Sequence, residues 1–220
     1  FAHDGVVADS VGAFGGMISF RIWCAHGAWN WFREPPINEG DSTPHYPARL
    51  EPKPDWMTDQ TWQRLTSWTN YYSHQTNLAR YVAGEDYTLD SAKVVRGGQF
   101  VQCTFNDSGA QLYMDFHGLR SDRWEEGFEV IFDRARLTVA MPAPLALHQT
   151  ARVIAYEHPE QGETRTIEPS FPAIDGFAAQ ARQFVASVRG EEQPLSPASE
   201  AVKEVEFAEA LMRYYQDHGL

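Results

Sequence analysis

A chain of 220 residues, 43% hydrophobic and 22% charged, is long enough for one substantial core, with two small domains as the upper limit. Its formal net charge of −12, with no basic cluster, argues against nucleic acid as a partner, and no apolar run approaches the roughly 18–20 residues of a membrane span. Cys24 and Cys103 stand far apart and outside any CxxC or Cys/His spacing, which fits a reduced, cytoplasmic setting without a metal site.

Residues 1–13 read as a short leading segment, and residues 14–220 as one domain. Phe14–Cys24 (FGGMISFRIWC) reads as a strand, with Gly15 and Gly16 allowing a bulge or close backbone approach at its start. Ala25–Trp56 is rich in Pro, Gly, Asn and Asp and cannot hold regular structure for long. It is also aromatic: Trp29, Trp31, Phe32, Tyr46 and Trp56 need burial or a ligand. Long ordered loops are often functional, so His26, Trp31, Arg33 and His45 are candidates to line a substrate site. The alternative is an irregular excursion packed on its own domain or on a second subunit.

Thr58–Glu85 reads as one long helix. At about 100° per residue, Leu65, Trp68, Tyr72, Ala79 and Val82 share a core stripe. The opposite stripe holds Gln63, Thr66, Ser67, Asn70, Ser73, His74, Asn77 and Tyr81. Between Asp59 and Glu85 the charged side chains are Arg64 and Arg80. A solvated helix face is normally rich in Lys and Glu. A neutral hydrogen-bonding face suits a cleft for a hydroxyl-rich ligand, or a wet interface. Asn70 and His74 are four apart, with Asn77 one turn later, so their Cβ atoms stack on one side. That pattern suits an imidazole acting as general acid/base on a hydroxyl while amides orient it. An ordinary surface or interface histidine is the alternative.

Gly84 is a natural stop. Strands follow at Leu89–Val95 and Phe100–Phe105, with Gly97–Gly98 as the turn between them. Asn106–Gly109 is a strong turn signal and makes Phe100–His117 a hairpin. Phe128–Phe132 and Arg136–Met141 form another across Asp133–Ala135, ended by Pro142 and Pro144. Arg152–Tyr156 and Thr164–Ile167 are the last strands, and the whole predicts an antiparallel or mixed sheet. His117 and His148, at strand ends, read as structural or exposed. Asp175 is placed to cap a helix with Phe177, Ala181, Phe184, Val185 and Val188 at helical spacing, stopped by Gly190. Ser196 as cap and Pro197 in the first turn open a second helix, with Ala201, Val205, Ala208, Leu211 and Met212 as its buried stripe. There are no repeats. GxGxxG, P-loop, GxSxG and HExxH patterns and the βαβ alternation of a nucleotide fold are missing, so a redox role needs a cofactor site from elsewhere.

Two stretches carry a family resemblance. SHQTNLARYVAGEDYTLDSA, Ser73–Ala92, is similar to a helix with an H-x-x-[DN] pattern followed by Gly-Glu and a strand. FAAQARQFVASVRGEEQPLSPASEAVKEVEFAEAL, Phe177–Leu211, looks like the ending of the same family. Over nearly its whole length the chain resembles the C-terminal domain of the Gfo/Idh/MocA oxidoreductases, the glucose–fructose oxidoreductase and inositol dehydrogenase relatives. The resemblance implies an α+β fold in which an open, largely antiparallel β-sheet packs against helices. It implies NAD or NADP held by an N-terminal Rossmann domain absent from this chain, and a sugar, polyol or inositol substrate. It also implies a homo-oligomer formed through the sheet face, without nucleic acid or membrane. His74 matches the family's proton-transfer histidine. Asn70 stands where the family usually has Asp, and an amide orients a hydroxyl but cannot act as a base. Asn77, Tyr71, Trp31, Arg33 and His26 would line the substrate site. Nothing here matches the family's catalytic Lys, which lies in the Rossmann domain. A non-catalytic binding or assembly subunit of the same fold, or a lyase or glycosidase relative using the nicotinamide transiently, are the alternative functions.

Overall fold

The computed structural model describes residues 14–27, 52–119, 123–144, 146, 149–174 and 176–220. Among the described residues, alternating apolar and polar residues give eight strands: β1 (Met17–His26), β2 (Tyr87–Val95), β3 (Gly98–Phe105), β4 (Gln111–Gly118), β5 (Glu125–Phe132), β6 (Ala135–Met141), β7 (Arg152–Glu157) and β8 (Arg165–Ile167). They form one sheet in the order β2-β3-β4-β1-β5-β6-β7-β8. β1 is inserted between β4 and β5, parallel to β4, and every other neighbouring pair is antiparallel. The open, largely antiparallel sheet expected from the sequence is therefore present. The β2–β3 turn sits one residue earlier than expected, at Arg96-Gly97. Both residues have positive φ, 51° and 88°, as the hairpin turn that follows the strands' twist requires.

Four helices are described: α1 (Asp59–Tyr71), α2 (Ser73–Ala83), α3 (Gly176–Val188) and α4 (Ala198–Asp217). The single helix expected over Thr58–Glu85 is two, broken at Tyr72, whose φ of −117° and ψ of −11° stay in the right-handed region but depart from regular helix values. Hydroxyls account for the break. Thr69 Oγ1 donates to Leu65 O at 3.0 Å, Ser73 Oγ to Thr69 O at 2.8 Å, and Thr76 Oγ1 to Ser73 O at 3.0 Å. Hydroxyls that take helix carbonyls in this way bend helices. The flanking signals act as expected. Thr58 Oγ1 accepts from the Thr61 N–H at 3.1 Å, and Gly84, at φ 76°, ends α2 in the left-handed region. For α4 the cap is Pro197, without a side-chain bond, rather than Ser196. Asp175 lies outside the described residues, as does the leading segment 1–13.

The core lies on one face of the sheet. Phe20, Ile22 and Cys24 of β1, Val101, Cys103 and Phe105 of β3, Leu112, Met114 and Phe116 of β4, and Phe128, Val130 and Phe132 of β5 point inward and are buried. Trp68 and Ala79 of the first two helices and Phe207, Leu211, Met212 and Tyr215 of α4 cover them. Trp68, fully buried, meets the rings of Phe116 at 5.3 Å and Tyr72 at 5.5 Å edge-on. Truncating an aromatic anchor of this kind costs about 3–5 kcal/mol. Arg80 is also buried, and α4 explains why. It pairs with Glu204, lies 3.3 Å from Glu200 Oε2 and donates to the Tyr87 hydroxyl at 3.3 Å. The opposite face of the sheet is open. There Phe100, Tyr113 and Tyr156 are exposed, beside the ion pairs Arg21–Asp115, at 2.8 Å, and Arg136–Glu129.

Candidate functional site

The inward rows of two neighbouring strands change character at one end. Along β1 the row runs Phe20, Ile22, Cys24, His26; along β5 it runs Phe132, Val130, Phe128, Glu126. Cys24 and Glu126 are paired across the two strands, so the polar ends of both rows coincide. The joint between α1 and α2 sits over that end.

Rings from the joint hold His26. It stacks on Tyr71 with centroids 4.1 Å apart and planes parallel, and Trp124 is tilted against it at 5.7 Å. His26 Nε2 is 3.2 Å from the Tyr72 hydroxyl. The Tyr72 ring is itself stacked on Phe116 at 4.5 Å and 9°. Burial lowers the His26 pKa, which favours the neutral imidazole near pH 7. Burial, with Cys24 nearby, raises the Tyr72 pKa, so its hydroxyl stays neutral. Beside this stack, Gln75 Nε2 donates to Glu126 Oε2 at 2.7 Å. Burial pushes the Glu126 carboxyl up. Burial and the Glu126 charge push the Cys24 thiol up to about 12, which leaves it an inert thiol.

The sequence-predicted residues divide into two groups. The break at Tyr72 puts Asn70 at the end of α1 and His74 at the start of α2, not on one continuous helix as the spacing predicts; both are exposed, and Asn77 is half-buried. Tyr71 and His26 are also half-buried, and the structure brings these two together although the chain separates them widely. Trp31, Arg33, His45 and His148 lie outside the described residues. His117 is half-buried on the open face with its Nε2 against Asp115. Sequence reasoning missed Gln75 and Glu126. A signal existed for Glu126: it is a carboxylate in the inward row of a strand whose other inward residues are Phe, Val and Phe. Among the described residues no group of three or more His, Cys, Asp or Glu is placed to hold a metal ion. No described helix is long and apolar enough to cross a membrane. A nicotinamide dinucleotide does not fit what is described: β1 and β4 are parallel neighbours, but no Gly-rich strand-to-helix turn accompanies them. The described donors and acceptors at this end are the His26 imidazole, the Tyr72 hydroxyl, the Gln75 amide and the Glu126 carboxylate.

No family model matches the chain, and no curated protein matches it. Solved structures do. An aldose–aldose oxidoreductase from Caulobacter crescentus, complexed with glycerol, aligns with 97% of this chain and 57% of its own at 16% identity and a TM-score of 0.62. A UDP-N-acetylglucosamine 3-dehydrogenase from Acidithiobacillus ferrooxidans aligns with 97% of this chain and 58% of its own at 7% identity and a TM-score of 0.60. A 3-ketoreductase from Actinomadura kijaniata, in complex with NADP, aligns with 93% and 54% at 15% identity and a TM-score of 0.57. The chain thus spans little more than half the length of the structures it matches. The likeness shows the fold, and that fold is the Gfo/Idh/MocA C-terminal-domain type which the Ser73–Ala92 and Phe177–Leu211 stretches resemble.

Proposed function

We propose that this chain is the substrate-binding and oligomerisation domain of an NAD(P)-dependent oxidoreductase acting on a hydroxyl of a sugar, polyol or inositol. The observation that carries the reading is the exposed polar residues on either side of the helix joint, Asn70 and His74, with Asn77 half-buried, on a fold shared with sugar oxidoreductases. The nicotinamide supplies the hydride acceptor and is held by a Rossmann domain outside this chain. His74 exchanges the hydroxyl proton. Asn70 and Asn77 orient hydroxyls beside His74, and Tyr71 and His26, stacked on each other, are assigned to the sugar by residue type, with Trp31 and Arg33, which lie outside the described residues. The open sheet face, with Phe100, Tyr113 and Tyr156 exposed, is the homo-oligomer contact. A solution mass that stays monomeric at all concentrations rules that contact out.

Because His74 is exposed, His74→Ala in the native full-length protein should leave the melting temperature unchanged and lower kcat by about 100-fold or more, the usual range for a general acid/base. Unchanged turnover sinks the role. Asn70 supports a second reading, an assembly subunit without catalysis, because an amide stands where the resemblance leads one to expect a carboxylate. Asn70→Asp raises turnover if the protein is an enzyme and changes nothing if it only assembles.

A further inference from the structure

His74 lies in the first turn of α2, and that turn has no side-chain cap: Tyr72, which precedes it, makes no capping hydrogen bond with its side chain. A helix start of this kind, one residue after a break, has little of its own to fix its direction. Further along, Thr76 and Arg80 hold α2 to Glu204 of α4, and at the start of the helix two neighbours of His74 add to the fixing. Ser73 Oγ donates to Thr69 O at 2.8 Å and ties the turn back to α1. Gln75, only 4% exposed, reaches 51 residues along the chain to Glu126 on β5. The backbone of His74 is therefore held on both sides while its imidazole remains exposed.

The Glu126 end of this tether is chemically unusual. Its carboxylate lies inside a row that continues Phe128, Val130, Phe132, across from the Cys24 thiol, and burial raises its pKa. A buried carboxylate without a cation is a poor way to gain stability, since an apolar residue of similar volume commonly does as well or better. What the carboxylate provides that an apolar residue cannot is directional bonding: Trp124 and Cys24 also bond to it, and the amide of Gln75, at 2.7 Å, is its link to α2. The Gln75 Oε1 atom is buried without a partner among the described residues, so this amide is anchored through its nitrogen.

We propose that Glu126, acting through Gln75, is a positioning residue for His74. The proposal rests on the role given to His74 above. It makes the sheet, through the β1–β5 register, the element that sets where the proton-transfer imidazole stands.

The test uses the native full-length protein with NADP+ and two probes, myo-inositol and D-glucose, together with the ring 15N shifts of His74 in the same protein. Glu126→Leu should lower kcat by about 100-fold, the scale of a 1 Å misplacement, with KM within about twofold, since no substrate contact is removed. The His74 ring shifts should move with it. Gln75→Met removes the same bond without touching the strand and should behave alike, which keeps the test valid if the Leu variant does not fold. Glu126→Gln, and the exchange of Gln75→Glu with Glu126→Gln, both keep a hydrogen bond and should return kcat to within about threefold of wild type. A purely structural role would lower the melting temperature but not kcat per folded molecule. The proposal is overturned if Glu126→Leu and Gln75→Met leave kcat and the His74 shifts in place, or if the exchange fails to restore them. If the wild-type protein oxidises neither probe, the oxidoreductase reading fails on these substrates. The positioning claim is then decided by the ring shifts alone, upheld if the exchange restores them and overturned if they never moved.

Discussion

Helices α3 and α4 carry the same kind of sequence signal and meet different fates. Both have apolar residues at helical spacing, and both form where that spacing predicts. Along α4, Phe207, Ala208, Leu211, Met212 and Tyr215 are buried, while Ala201 and Val205, expected in the buried stripe, are exposed. It is bonded as well as packed: Tyr215 donates to Gln99 Oε1 at 3.0 Å, and Glu204 takes bonds from Thr76 and Arg80. Along α3 none of the residues is buried, and Phe177, Phe184, Val185 and Val188 are 55%, 67%, 45% and 72% exposed. The hydrogen bonds of Gln183 run to Ser187 and the Gln193 carbonyl, both close by in the chain. A periodic stripe therefore records that a helix face is made for cover. It does not record what covers it.

The sharpest way to break the comparison is at the α2–α4 clamp. Arg80→Ala leaves Glu204 buried without its cation, and losing one partner of a buried pair typically costs about 3–5 kcal/mol. Urea unfolding should show that loss, and a change below about 1 kcal/mol, the worth of an exposed pair, would mean that α4 is not held as described. Next comes packing. Leu211 is fully buried, and Leu211→Ala should cost about 2–5 kcal/mol in the same assay. A cost no greater than that of a surface change would place α4 in the same class as α3.

These two effects also mark what the sequence disclosed. The strands were legible because inward and outward residues alternate, and the turns because Gly97 and Asn106–Gly109 punctuate them. The place of β1 was not, since a strand's own residues do not say that it will insert between β4 and β5. Arg80 looked like one of two charges on a polar helix because its partner lies 124 residues away. The break at Tyr72 was hidden by a hydrophobic stripe that continues across it, although Thr66, Thr69, Ser73 and Thr76 were already spaced to take carbonyls. Helical spacing is local and singles out Asn70, His74 and Asn77, but the break at Tyr72 puts Asn70 and His74 on different helices. Gln75–Glu126 and the stack of His26 on Tyr71 depend on register and on which helix crosses which strand, and neither is written locally.

The smallest expected effect makes the sharpest statement about α3. Phe184→Ala removes an aromatic ring from a helix, a change that in a core costs about 3–5 kcal/mol. Here the ring is 67% exposed, so little of its surface returns to water on truncation. Helix propensity slightly favours Ala over Phe. The two terms are small and opposed, and the stability of this chain in urea should stay within about 0.5 kcal/mol, as for surface substitutions generally. The same substitution in the native full-length protein separates two states of the helix. If a further domain covers α3 there, the cost rises toward the core value, because the ring is then withdrawn from water and its removal leaves a cavity. If α3 stays bare, the cost stays near zero. A core-sized loss in the 220-residue chain itself would show that α3 already packs on this domain in solution, and the difference between the two helices would vanish.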